Sequence, residues 1–172
     1  MAAEGRIVLD KLGTWELLIS GLALFVAAQV IDCATADAAP LDAWSEGRPV
    51  VVCVERNTVA DFALAEWIGY LWSPNRQFYI DCVDPDLILY NEDCGRLAGF
   101  GCYAYGDPGR AWGSSNGVML HEIGHAWGLD HPANVGSCQT PTLMESNVCG
   151  EQRIFPVDVA RVLEMMRGDF ID

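Results

Sequence analysis

The stretch that decides the fold is His121-Glu122-Ile123-Gly124-His125-Ala126-Trp127-Gly128-Leu129-Asp130-His131. It contains all three histidines of the chain. Residues four apart on a helix lie about 40° apart around its axis, so His121 and His125 are predicted to share one helix face. Gly128 can adopt a positive φ angle at low cost, which would end the helix and bring His131 back toward the same point. The spacing therefore predicts one metal site rather than three separate core or surface histidines.

Three neutral imidazoles with an open fourth position are a ligand set of catalytic zinc ions. Glu122 follows the first histidine and is predicted to project beside that open position. Its carboxylate could there accept a proton from a bound water molecule. The sequence thus predicts Zn²⁺ on His121, His125 and His131, with Glu122 as a catalytic residue.

The pattern H-E-x-x-H-x-x-G-x-x-H resembles the long zinc signature of the metzincin metalloendopeptidases, and its Gly-Leu-Asp-His run is most similar to their matrixin-like branch. That clan carries a methionine in a tight turn beneath the metal, and Met144, thirteen residues after His131, stands at a matching place. The resemblance covers about residues 116–147. It implies an α+β catalytic domain with a twisted mixed β-sheet, three helices and an irregular C-terminal segment that carries the methionine turn.

The same resemblance implies a secreted zinc-dependent endopeptidase that hydrolyses peptide bonds by a zinc-bound water, with Glu122 as general base. Met144 would shape the site without ligating the metal, although an ordinary core methionine is the simpler interpretation of that residue alone. Some relatives use aspartate as the third ligand, but the register of the motif places His131 there and leaves Asp130 to orient its neighbours.

Two other functions are alternatives to the peptidase. One is a zinc-binding protein-interaction domain with weak or no catalysis, and the other is a hydrolase acting on a non-peptide substrate. Glu122 argues against the first, because a structural zinc site needs no base and usually closes its fourth position.

Hydrophobic periodicity predicts the remaining elements. In chain order they are a buried strand at 49–54, a helix that Asn57 or Thr58 caps and Ser73-Pro74 stops, strands at 77–83 and 87–90, a loop at 106–115 and a last helix that Pro156 opens. In the first of these helices Phe62 is predicted to face inward. A glycine-rich strand at 99–105 is predicted at a sheet edge, where the resemblance places the substrate. The candidate substrate-binding residues are Gly99, Phe100, Gly101, Cys102 and Tyr103.

The composition favours one globular domain, with 51% apolar and 20% charged residues among 172. The formal net charge of −14 argues against nucleic acid and anionic membrane surfaces as partners. The expected partner is a protein or peptide substrate, and the chain is expected to be a monomer. Asp84, Asp86, Glu92 and Asp93 could gather oxygen ligands for Ca²⁺. No loop motif supports that site, and solvated surface charge is the other interpretation.

The N-terminal region has the pattern of a secretory signal peptide. Residues 17–31 form an apolar run, and two A-x-A patterns follow within 34–38. The predicted domains are therefore a signal peptide at 1–38 and a zinc metallopeptidase domain at 39–172. An uncleaved membrane anchor, a lipid-modified Cys33 and a core helix are the alternatives for the apolar run.

Six of the seven cysteines follow the predicted leader. An even number in a small exported domain predicts three disulfides, among fifteen pairings. Local spacing favours Cys138–Cys149 and Cys94–Cys102, which leaves Cys53–Cys82. The alternative is a reduced cytosolic protein with buried thiols.

Overall fold

The computed structural model describes residues 41–95, 101–133, 141–145 and 152–167, all within one unit that spans Asp37–Asp172. The predicted leader at 1–38, the Cys138–Cys149 pairing, Gly99 and Phe100 lie outside these residues. In the described stretches no helix is long and apolar enough to cross a membrane.

The described part of the chain contains four helices and five strands. In chain order they are α1 (Asp42–Ser45), β1 (Val50–Val54), α2 (Val59–Leu71), β2 (Phe78–Ile80), β3 (Leu87–Tyr90), β4 (Cys102–Ala104), β5 (Gly109–Trp112), α3 (Asn116–Ala126) and α4 (Pro156–Met165). The class is α+β, as predicted.

The five strands form one mixed sheet in the order β2-β1-β3-β5-β4. Strand β1 pairs in parallel with β2 and β3, and β3 pairs in parallel with β5. Strand β4 is antiparallel to β5, with Tyr103 opposite Ala111, and it forms one edge of the sheet. The predicted mixed sheet and the predicted edge position of this strand are therefore confirmed.

One face of the sheet packs against the helices. Strand β1 alternates between fully and partly buried residues, as expected for a strand with one face in the core. The indole of Trp67 on α2 is fully buried and donates from Nε1 to the carbonyl oxygen of Leu120 on α3 at 2.9 Å. This bond satisfies a buried donor and fixes α3, which carries the predicted metal site, against α2.

Three predictions about the elements are wrong. Strand β5 lies within 106–115, a stretch that was predicted to be a loop. The sequence indicated a loop because Gly106, Asp107 and Pro108 are turn formers and only Ala111 makes an apolar core contact. The one-turn helix α1 raises the number of helices from the predicted three to four, since four residues are too few for a periodic signal. Phe62 is 62% exposed, because the buried stripe of α2 runs through its small residues Ala60 and Ala63 instead.

Both disulfide pairings that fall on described residues are confirmed. Cys53 of β1 is bonded to Cys82, which follows β2, with a Cα–Cα distance of 4.4 Å. Cys94 is bonded to Cys102 of β4, with a Cα–Cα distance of 5.6 Å. The first bridge ties two strands together, and the second ties the edge strand to the loop that follows β3.

Candidate metal centre

Helix α3 places the first two histidines, and local capping fixes where it begins and ends. At its start the Ser115 hydroxyl accepts a hydrogen bond from the Val118 amide at 3.4 Å. At its end Gly128 has a φ of +88°. The Gly128 amide donates to the carbonyl of His125, and the Leu129 amide donates to the carbonyl of Gly124, both at 2.9 Å. This pair of bonds is a Schellman motif, so the predicted role of Gly128 in ending the helix is confirmed.

The same turn orients the second histidine. The carbonyl oxygen of Leu129 accepts a hydrogen bond from His125 Nδ1 at 2.8 Å. A carbonyl only accepts, so this bond places the proton of the neutral imidazole on Nδ1 and leaves a lone pair on Nε2. A hydrogen bond from the ring nitrogen that does not bind the metal is the usual way in which proteins orient a histidine toward a metal.

The methionine turn orients the first histidine. The carbonyl oxygen of Leu143 accepts from His121 Nδ1 at 3.0 Å, which again leaves Nε2 with a lone pair. Met144 is fully buried beneath α3. A Cβ atom at Gly124 would lie 2.7 Å from its sulfur, so the absence of a side chain at Gly124 makes room for Met144.

The three histidines converge on one point. One nitrogen from each of His121, His125 and His131 lies within 4.8 Å of the other two, and His121 Nε2 is 2.9 Å from His131 Nε2. Ligands on a tetrahedral zinc ion at about 2.05 Å would be separated by about 3.4 Å, which falls between these two distances. Within the described residues no other group of three or more His, Cys, Asp or Glu side chains is gathered to hold a metal.

Burial keeps the three imidazoles neutral. It lowers the pKa of His121 to about 4 and that of His125 to about 3, and in both cases the charges of neighbouring histidines add to the effect. Burial also lowers the pKa of His131, and the charge of the Asp130 carboxylate partly offsets this by raising it. Neutral imidazole is the form that ligates a metal, so the donor set fits zinc without the loss of a proton near neutral pH.

Glu122 lies on the side of α3 that faces the edge strand. Its side chain is only 7% exposed, and burial raises the pKa of the carboxyl group to about 8. A Cβ atom at Gly101, which directly precedes β4, would overlap Glu122 Oε1 and lie 2.6 Å from Glu122 Cγ. Gly101 therefore leaves the space in which the Glu122 carboxyl group lies.

A buried aspartate that sequence reasoning missed supports the methionine turn. Asp158 of α4 is fully buried. Its carboxylate accepts from the Thr142 hydroxyl, from the Leu143 amide at 2.9 Å and from the Phe155 amide at 3.0 Å. Since the Leu143 carbonyl orients His121, Asp158 acts on the site through this turn. The Pro156-x-Asp158 pattern signals a helix start, but nothing local signals the contact with residues 142 and 143.

The structure also describes Asp130 and part of the predicted substrate strand. Asp130 is exposed, and His131 rather than Asp130 belongs to the gathered nitrogen cluster. Of the predicted substrate strand, Cys102 and Tyr103 are buried in β4.

The four acidic residues considered for Ca²⁺ do not gather into a cluster of the kind that the histidines form. Asp86, one of the four, is buried and bound to Arg48 and to the Val51 amide.

Comparison of the chain with protein-family models and with curated proteins found no match.

Proposed function

We propose that the chain is a secreted zinc-dependent endopeptidase of the metzincin type. The observation that carries the proposal is the convergence of the ring nitrogens of His121, His125 and His131. Glu122, which follows the first of these histidines in sequence, has a buried carboxyl group. Backbone carbonyls hold two of the three imidazoles with their Nε2 lone pairs available. Zinc, when bound, would supply a Lewis acid that polarises the scissile carbonyl and lowers the pKa of water.

Glu122 is the proposed general base. It neighbours a ligand in sequence, and Gly101 leaves room for its carboxyl group beside the edge strand. Burial alone raises the pKa of this carboxyl group, and the charge of a bound zinc ion would lower it again. The carboxylate would then take a proton from the attacking water and return it to the leaving amine. A site that served only to hold the fold together would have no use for a buried carboxyl group next to its ligands.

The proposed substrate is an extended peptide segment that pairs with β4. Among the described strands, β4 pairs with β5 alone, and it begins one residue after Gly101. An exposed sheet edge binds an extended chain through main-chain hydrogen bonds, which suits a peptidase that reads peptide backbone first. Of the predicted substrate-binding residues, the structure describes Gly101, Cys102 and Tyr103. The side chains of Cys102 and Tyr103 are buried, so these residues would border the substrate through their main chain.

Export is part of the same proposal. The two disulfides support an oxidising compartment, since such bonds are rare in cytosolic proteins.

The decisive experiment is a peptide-library cleavage profile of the zinc-loaded protein, with Glu122→Gln as the matched variant. We expect cleavage that a zinc chelator abolishes and added zinc restores. Glu122→Gln should retain about one zinc per chain while peptide hydrolysis falls roughly 10²-fold or more, the scale of general-base loss. Zinc binding without cleavage of any library peptide would favour the alternative, a zinc-binding interaction domain.

A further inference from the structure

A surface cavity that shares no residue with the histidine cluster contains three arginines. It has a volume of about 230 Å³ and lies between α1, the segment before β2 and the end of α4. Arg48, Arg76 and Arg167 line it, and none of its nine lining residues is Asp or Glu. The chain as a whole has 24 acidic residues and 10 Lys or Arg. The wall of this cavity thus carries three guanidinium groups and no carboxylate, whereas the chain as a whole is acidic.

The three arginines differ in what already binds them. Arg48 is paired with Glu46 and Asp86, both at 2.5 Å. Arg76 donates from one Nη to the carbonyl of Leu71 at 3.2 Å, which leaves its other N–H groups for a ligand. No side-chain partner is observed for Arg167 among residues that the structure describes. Two of the three guanidinium groups thus have donors to offer.

The rest of the wall suits a small anion. Trp44 and Phe78 supply aromatic surface, and Asn75 and Gln77 supply amide groups. The volume is below the roughly 300 Å³ at which pockets for drug-sized ligands begin. Guanidinium forks match the geometry of phosphate and carboxylate oxygens.

We propose that this arginine pocket, defined by Arg48, Arg76 and Arg167, binds a small oxyanion of the phosphate type. The pocket does not depend on the peptidase function and shares no residue with the histidine cluster. A solely structural role for the arginines is the competing explanation, because Arg76 and Arg167 stand near the C-terminal ends of α2 and α4, where positive charge is favoured. The two explanations differ in whether a free anion binds.

The test is calorimetric titration of the zinc-loaded protein with inorganic phosphate at constant ionic strength. We expect saturable binding at one site, weakened roughly tenfold or more by Arg167→Gln and by Arg76→Gln, as for loss of a charge-assisted hydrogen bond. Arg110→Gln is the matched control, because Arg110 is an exposed arginine of β5 that does not line this cavity. Its affinity for phosphate should equal that of the parent protein.

Three results would overturn the proposal. The first is no saturable binding into the millimolar range, which would leave the arginines a structural role. The second is an equal loss in Arg110→Gln, which would indicate general charge attraction. The third is binding that survives both pocket variants but disappears on chelation, which would assign the phosphate to the metal centre.

Discussion

Gly124 faces the sulfur of Met144 so closely that a methyl group on Gly124 would lie 2.7 Å from Sδ. Gly124 is an interior residue of α3, where glycine costs about 1 kcal/mol relative to alanine. Met144 is fully buried and cannot move into solvent to make room. The glycine between the two helical histidines therefore maintains the close approach of the methionine turn to α3, at the expense of helix propensity.

Gly124→Ala should destabilise the protein despite its better helix propensity. Overpacking a closed core costs about 1–3 kcal/mol, more than the propensity gain of about 1 kcal/mol. We expect a lower free energy of unfolding together with weaker zinc binding, since the Leu143 carbonyl that orients His121 precedes Met144. Denaturant unfolding and zinc competition with a chelator measure the two effects.

Gly69→Ala is the matched control for that substitution. Gly69 lies in α2, and no atom stands within 4 Å of a Cβ built there. This change should stabilise the protein by roughly 0.5–1 kcal/mol and leave zinc affinity unchanged. A stabilising effect of Gly124→Ala equal to that of Gly69→Ala would show that Met144 yields easily and that the contact has no role.

Asp158→Asn should weaken both the fold and the metal site. The amide that replaces the carboxylate offers one acceptor oxygen to donors from Thr142, Leu143 and Phe155, and leaving a buried donor unsatisfied costs about 1–3 kcal/mol. Zinc affinity should fall further than in Glu55→Gln, an exposed change outside the site that should be nearly neutral. Unchanged zinc affinity in a destabilised Asp158→Asn protein would limit Asp158 to a structural role.

His131→Ala should weaken zinc binding far more than Asp130→Ala. The nitrogen cluster includes His131, whereas Asp130 acts on His131 through its charge. Zinc content after dialysis against a competing chelator distinguishes the two variants. Loss of zinc in Asp130→Ala and its retention in His131→Ala would show that Asp130, rather than His131, is the third ligand.

Tyr103 should make the folded state less stable at high pH. Burial raises the pKa of its phenol to about 12, above the usual value near 10 in the unfolded chain. The folded state therefore holds more protons between about pH 10 and 12, so stability should decline as pH rises through that window. Tyr103→Phe should remove the loss of unfolding free energy that falls within this pH window. It should also remove the tyrosine ionisation that occurs at the highest pH, as followed by tyrosinate absorbance. An identical pH profile in Tyr103→Phe would contradict the burial of the phenol.

Helix α3, which carries two of the three histidines, could be predicted from sequence because its determinants are local. The spacing of His121 and His125 identifies the helix face, and Gly128 marks the end of the helix. The contact of Asp158 with Leu143 could not be predicted, because it joins segments that meet only through tertiary packing. Strand β5 could not be predicted for a related reason. It is a strand because it pairs with β3 and β4, whereas Gly109-Arg110-Ala111-Trp112 alone has only a weak strand pattern.

The two observed disulfides should contribute unequally to stability. Cys53–Cys82 joins residues 29 apart and Cys94–Cys102 joins residues 8 apart. Loop-closure entropy assigns about 3.6 kcal/mol to the longer loop and about 2.5 kcal/mol to the shorter one. Replacing both cysteines of a pair by alanine and measuring denaturant unfolding should give that order. The shorter bridge holds β4, so its loss should also reduce peptide cleavage while zinc content stays constant. A larger stability loss from the Cys94–Cys102 pair would show that native packing of the edge strand, rather than restriction of the unfolded chain, sets the contribution of these bonds.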